Sequence, residues 1–376
     1  MPDISSYIKI NEKNISEGVT SGTLRKDPKP DSKCCKGVLL FGMVLLAWLA
    51  AGAVCLYYMI LVARQPRGLP GLVEVWEHYK TVHGKNYSQK EDEERVGIFL
   101  ESMKEIEYHN ELFEMGLRSY KKQINKFSDY TPDELDGMKC FRGEVEISLP
   151  EDSFSFSEGA SYPESFDWRS RGAVNRVKDQ GQCGSCYAFS AIGSLEAQHF
   201  IKTGKLVSLS EQNIVDCSRP QGNYGCDGGY MISSFHYIFQ NNGIDTELAY
   251  GYEALEGACR FQPSAVGATL RGYGTVASSE KSLQAAIIDI GPISVGIHVN
   301  NNFFAYGGAI FDDGSCDPNV INHAVLVVGF GSAGGQDYWI VKNSWSSLWG
   351  ENGYMKIARN KGNMCGIASM ASFPIV

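Results

Sequence analysis

The chain has 376 residues, of which 43% are hydrophobic and 20% charged; this is globular composition in more length than one ordinary domain needs. Its 34 Lys and Arg against 43 Asp and Glu leave a formal net charge of −9, which argues against nucleic-acid binding. Residues 1–36 mix Asp, Lys, Ser and Asn without apolar periodicity and read as a disordered cytosolic tail. Tyr7-Ile8-Lys9-Ile10 in that tail fits a tyrosine-based endosomal sorting pattern, and Cys34 and Cys35 are either acylation sites or plain thiols.

Residues 37–63 carry no charge, and the run exceeds the ~20 residues that cross a bilayer as a helix. Arg25, Lys26, Lys29, Lys33 and Lys36 precede it and only Arg64 and Arg67 follow closely, so the reading is a type II signal anchor with the N-terminus in the cytosol. A cleaved signal peptide is the alternative, with Ala51-Gly52-Ala53 as its small-residue site. Of the sequons Asn14-Ile15-Ser16 and Asn86-Tyr87-Ser88, a type II orientation offers only Asn86 for glycosylation. Further on, Val96, Phe99, Leu100, Met103, Ile106, Asn110 and Phe113 fall on one helical face that stops near Gly116. Residues 143–160 are acidic and serine-rich, which suits an exposed, cleavable linker.

The stretch from Gln180 to Ser190 places Cys186 where a chain enters a helix, because Ala188, Ile192, Leu195 and His199 follow at helical spacing and Gly204 supplies a stop. A cysteine in the first turn meets unpaired N–H groups and the positive end of the helix dipole, both of which favour the reactive thiolate. Ser208-Leu209-Ser210-Glu211 reads as a capping box opening a helix toward Cys217. Residues 293–299, 324–330, 338–342 and 354–358 are short β-prone runs. His323 opens one of them, within the ~130–150-residue separation from the cysteine that a Cys–His pair of this type shows. The glycine-rich loop Gly331 to Gln336 lets the next strand pair back, so that Asn343 at its end can hold one imidazole nitrogen while the other faces Cys186. Gln180 and the Cys186 backbone N–H are placed to donate to a developing oxyanion, and Trp345 to roof the His–Asn pair.

Cys183-Gly184-Ser185-Cys186-Tyr187 matches the local signature C-G-[SA]-C-[WY] of papain and cathepsin cysteines. Phe166-Asp167-Trp168-Arg169, Gly225-Cys226-Asp227-Gly228-Gly229, Gly291-Pro292-Ile293 and Trp349-Gly350-Glu351-Asn352-Gly353-Tyr354 are further motifs. With them, residues 161–376 resemble a papain-family cysteine peptidase of the cathepsin L group. The resemblance departs at Tyr187, where the family usually has tryptophan. It implies an α+β fold, a two-lobed catalytic domain with a helical lobe, an antiparallel β lobe and a cleft between them. It also implies that residues 70–142 are an inhibitory propeptide, since Glu91, Arg95, Phe99, Ile106 and Asn110 match one propeptide motif and Asn125, Phe127 and Asp129 a second. By the same resemblance Cys183 pairs with Cys226, Cys217 with Cys259 and Cys316 with Cys365, which leaves Cys186 over as the odd thiol and Cys140 without an assigned partner. Residue spacing alone permits fifteen pairings for the six.

The substrate-binding positions the resemblance implies are Gly228, Gly229, Tyr230, Met231, Gly296, Ala324, Trp345 and Met370, an uncharged set that favours a hydrophobic residue two before the cut. No insertion resembling an occluding loop lies between Cys186 and Cys226, so internal cleavage is expected. Protein and peptide substrates, the chain's own propeptide and cystatin-like inhibitors are the implied partners. No cofactor or metal is implied, and the released enzyme is expected to be monomeric. The implied place of action is a lysosome- or endosome-like compartment, or outside the cell after processing. A catalytically silent relative that acts as a binding or inhibitory protein is the other reading.

Overall fold

The computed structural model describes residues 69–138, 153–155 and 161–376, and the chain divides into two compact units, Met1–Tyr87 and Ser88–Val376. The sorting pattern, Cys34 and Cys35, the 37–63 span, Cys140 and most of the 143–160 linker lie outside the described residues. In the first unit helix α1 (Leu69–His83) buries Trp76 and Tyr79, with their rings stacked 5.5 Å apart.

The second unit begins with α2 (Gln89–Glu114), capped by Ser88, whose hydroxyl accepts the Glu91 N–H; its buried positions are Phe99, Ile106 and His109. Strand β1 (Tyr120–Lys122) and helix α3 (Pro132–Gly137) follow, the latter opened by a Thr131–Glu134 capping box. The short strands β2 (Ser153–Phe154) and β3 (Phe166–Asp167) lead to α4 (Cys186–Thr203). Every side chain of α4 from Cys186 to Ala197 is buried, as in a helix surrounded by protein on all sides. Its small residues set the approach: a Cβ on Gly193 would stand 2.9 Å from a Leu326 methyl. Helices α5 (Glu211–Cys217) and α6 (Met231–Gln240) pack with α4 around Leu195, Ile214, Phe235 and Ile238 to form the helical core. The cap of α5 falls at Ser210, whose hydroxyl accepts the Asn213 N–H. The box predicted to start at Ser208 does not form, because the Glu211 carboxylate is drawn to Lys178 instead, at 2.7 Å.

After the two-stranded β4 (Ile244–Asp245) and β5 (Val266–Ala268) come β6 (Gly272–Val276), α7 (Glu280–Asp289), β7 (Ile293–Ile297), α8 (Asn301–Phe304), β8 (Tyr306–Phe311), β9 (His323–Ala333), β10 (Gln336–Lys342), β11 (Tyr354–Ala358) and β12 (Met370–Ile375). The main sheet has ten strands in the order β1-β8-β11-β10-β9-β7-β12-β6-β2, with β3 added on β9. β9 and β10 are longer than their apolar runs suggest, since only Gly334 and Gly335, both at positive φ, remain as the turn. The sheet encloses a second core with Phe303, Phe304, Trp339, Trp345 and Trp349. One core is thus helical and the other sheet-based, and α4 lies against β9 between them. This is a papain-like α+β fold.

Candidate active site

Residue 186 is the first of α4 and residue 323 the first of β9, so helix-on-strand packing brings the two chain entries together. The contact is direct: the Ala324 N–H donates to Cys186 Sγ at 3.1 Å. His323 Nε2 donates to Asn343 Oδ1 at 2.9 Å, and the same oxygen accepts the Ser344 N–H at 2.8 Å. An oxygen accepting from a backbone N–H is the carbonyl end of the amide, so the imidazole proton sits on Nε2 and Nδ1 offers a lone pair. Nδ1 is buried and has no hydrogen-bond partner among the described residues. Burial lowers the imidazole pKa to about 4, against the hydrogen bond to Asn343, which raises it. Asn343 follows the last residue of β10, and the β9–β10 register sets the twenty-residue return that the hairpin requires.

Trp345 covers this pair, its ring 4.7 Å from that of His323, and itself stacks on Phe304 at 4.8 Å. Gln180 is fully buried and fixed at three atoms: its N–H donates to Ser344 O at 2.8 Å, its Oε1 accepts from Ser344 Oγ at 2.7 Å, and its Nε2 donates to Cys183 O at 3.0 Å. Ser344 thus links the glutamine to the His–Asn pair, a role that spacing along the chain did not reveal. Tyr252 was missed as well: its hydroxyl donates to Gln180 O at 2.7 Å and meets Ser185 Oγ at 2.6 Å. Tyr187 is buried and donates to Gly225 O at 2.9 Å, so the hydroxyl that replaces an indole here is satisfied.

The pocket positions come from three strands and one helix. Met370 pairs with Gly296 and Gly296 with Ala324, a row across β12, β7 and β9. Met231, Ala324 and Met370 meet in the helical core. Gly228 and Gly229 precede Tyr230, whose N–H donates to Asn223 Oδ1 at 2.8 Å. Ile321 and Met370 close directly over the bare Gly296, since a Cβ there would stand 2.6 Å from Ile321 and 3.3 Å from Met370.

Disulfides join Cys183 to Cys226, Cys217 to Cys259 and Cys316 to Cys365. Cys186 takes no part in these three bridges.

The preceding segment is fastened over the site. β1 pairs antiparallel with β8, Asn110 Nδ2 donates to Lys122 O at 2.9 Å, and Asn125 Nδ2 donates to Phe304 O at 2.8 Å. Phe127 stands edge-on to Trp345 at 4.9 Å, Lys126 pairs with Asp179 at 2.5 Å, and Tyr130 Oη accepts from Gln182 Nε2 at 3.2 Å. Arg95 makes a bidentate pair with Glu134, donates to Asp129 O at 2.9 Å and reaches Glu91 at 3.3 Å. Lys121 and Lys122 pair with Glu114 and Glu105. Asn86 is exposed. Among the described residues no cluster of His, Cys, Asp and Glu could hold a metal ion.

Residues 162–375 match the model of the papain family cysteine protease, and residues 76–135 that of the cathepsin propeptide inhibitor domain. A digestive cysteine proteinase 2 from Homarus americanus is 49% identical over 80% of this chain and 94% of its own length. A cathepsin L from Sarcophaga peregrina is 44% identical over 81% and 93%. The solved digestive procathepsin L 3 of Tenebrio molitor larval midgut superposes with a TM-score of 0.76 at 44% identity, over 81% of this chain and 99% of that one. These relatives overturn the expected type II membrane precursor bound for a lysosome-like compartment, since two of them are digestive enzymes by name. Among the described residues no helix is long and apolar enough to cross a membrane. By its family match, its fold and its relatives, the chain belongs to the papain family of cysteine proteases and carries a cathepsin propeptide inhibitor domain ahead of the protease.

Proposed function

We propose that the chain is the zymogen of a cathepsin L-like thiol endopeptidase, with residues 70–142 as inhibitory propeptide, 143–160 as cleavable linker and 161–376 as peptidase. Cys186 is the nucleophile, His323 its base and later the acid for the leaving amine, Asn343 the group that orients the imidazole, and Gln180 an oxyanion donor. The observation that carries this reading is the buried imidazole whose Nε2–H is held by Asn343, whose Nδ1 has no partner among the described residues, and whose next residue, Ala324, donates its N–H to Cys186 Sγ. Attack of the thiolate on a peptide carbonyl then forms the acyl-enzyme, and water releases it through the same base. The second nitrogen of Gln180 is anchored well enough, through Ser344, to donate without reorganising.

The pocket row of Met370, Gly296 and Ala324 with Met231 contains no charge. It supports Leu, Phe or Val two residues before the cut, because an arginine there would be desolvated without a partner. Protein substrates, the chain's own propeptide and cystatin-like inhibitors fit such a cleft, and exposed Asn86 is the glycan acceptor.

The test uses zymogen that has been reduced and processed in acid. An epoxide thiol inhibitor should attach to Cys186, and a peptide library should be cleaved internally after Leu, Phe or Val at the second position. A silent binding protein would take no label and cut nothing, and an arginine-dominated profile would refute the pocket assignment.

A further inference from the structure

The uncharged row of Met370, Gly296 and Ala324 leaves β9 across β7 and β12. On the other edge of β9 lies β10, whose end leads through Asn343 to Trp345. His323 opens β9 between the two. A peptide that seats the residue two before the cut in the row therefore sends its leaving half past Trp345.

A carboxylate stands on that side. Asp179 and Trp345 face each other in an isolated antiparallel bridge, flanked by the Gln180 N–H on Ser344 O at 2.8 Å and the Ser346 N–H on Lys178 O at 3.1 Å. Asp179 Oδ1 accepts the Gly181 N–H at 2.9 Å, which fixes the direction of the side chain. Lys178, its neighbour in sequence, is turned inward onto Glu211 at 2.7 Å. The cation that meets Asp179 comes from the propeptide instead: Lys126 Nζ donates to Oδ1 at 2.5 Å, while Phe127 stands edge-on to Trp345 at 4.9 Å. A lysine and an aromatic, adjacent in sequence, thus cover the carboxylate and the indole together. Even so covered, the Asp179 side chain keeps 42% of its exposure, so it can be reached from solvent.

We propose that Asp179 is a specificity determinant on the leaving side of the cleft, selecting Lys or Arg at the first or second residue after the cut, and that Lys126 takes this place in the zymogen. This rests on the reading of Cys186 and His323 as nucleophile and base. The position follows from reach. The Trp345 ring is 4.7 Å from that of His323 and Asp179 is the bridge partner of Trp345, whereas an extended chain advances ~3.3 Å per residue. A carboxylate at that point attracts a basic side chain and repels an acidic one, and because it is partly exposed its discrimination is modest and sensitive to salt. The cleft then reads an apolar side chain before the cut and a positive charge after it.

The experiment uses zymogen processed in acid and assayed in reductant on internally quenched peptides. These hold Leu two before the cut and carry Lys, Arg, Ala or Glu at the first and then at the second position after it, with the cut site checked by mass spectrometry. At one of the two positions the Lys and Arg peptides should show kcat/KM roughly five- to tenfold above the Glu peptide. Asp179→Asn keeps an oxygen for the Gly181 N–H and should bring that ratio to within about twofold; Asp179→Lys should turn it in favour of Glu. Ionic strength near about 1 M, where screening leaves a reach of only ~3 Å, should shrink the wild-type ratio in the same way. A flat wild-type profile at both positions, or a basic preference that Asp179→Asn leaves intact, overturns the proposal. Enzyme that cuts every peptide alike refutes this assignment alone. Enzyme that cuts none and takes no epoxide label refutes Cys186 as nucleophile, and the leaving-side preference with it, so the two failures are distinct.

Discussion

The proton on His323 is assigned by a single atom, Asn343 Oδ1, because that oxygen is already committed to the Ser344 N–H. Asn343→Ala should therefore lower kcat by ~10- to 100-fold through loss of the productive tautomer, whereas Cys186→Ser or His323→Ala should remove ~10³-fold or more. Steady-state kinetics on reduced, processed protein checks the order. Ser344→Ala removes the hydroxyl that holds Gln180 Oε1; kcat should fall roughly tenfold with KM unchanged, the signature of an interaction made in the transition state. An equal rise in KM would count against the oxyanion role. Cys186, His323 and Asn343 were legible because each sits in a short motif at an element's start or end, and Gln180 because it precedes Cys186 in the same motif. Ser344 and Tyr252 were not, since their importance lies in bonds to a glutamine far away in sequence.

In the propeptide elements two groups report different ranges of pH. His109 is buried on α2 and its ring Nε2 donates to Tyr120 O of β1 at 3.0 Å; burial holds its pKa below the usual 6.5. The docked form therefore binds fewer protons than the unfolded one, and its stability falls as pH drops below 6.5. The Glu134 carboxyl is also lowered, by a different cause: hydrogen bonds from Arg95 bring it from 4.5 to about 2. Its contribution is complete above pH 4.5 and fades only between there and about 2. Loosening in mild acid thus belongs to His109, and protonation of Glu134 acts only in stronger acid. Replacing His109→Gln should flatten the pH dependence of processing between pH 6.5 and 5, measured on reduced zymogen by the disappearance of the full-length chain; an unchanged profile would contradict it. The helical face of α2 was readable from its periodicity, but His109 lies beside the apolar positions and its partner strand has only three residues. The pocket row depends similarly on register. Gly296→Val would collide with Ile321 and Met370 and displace them, and kcat/KM for substrates with Phe at the second position should fall by about 10- to 100-fold relative to those with Ala.

Across the whole molecule the two cores differ in what they depend on. The helical core and its disulfides lie within the peptidase region, whereas the sheet core takes in Tyr120, Phe127 and Met138 from the propeptide. Hydrogen exchange at pH 5 on reduced zymogen should therefore accelerate first in α2, β1 and α3, with β9 and β10 protected as at pH 7; simultaneous loss in both would refute separable docking. The α+β class and the order of the two regions could be read from motif order, whereas a sheet joining propeptide to protease could not, since β1 is too short to announce itself. That junction has one more consequence. β8 lies between β1 and β11, so departure of the propeptide turns it into an open border with unpaired backbone groups, a template that invites stray strands and fibre growth. The border is poorly suited to that use. Gly308 and Ala309 both take positive φ, and the β1–β8 register slips between Lys121 and Lys122, so only a chain that carries the same irregularity can dock along it. A propeptide shaped to that flaw leaves behind an enzyme whose newly bared rim resists self-assembly.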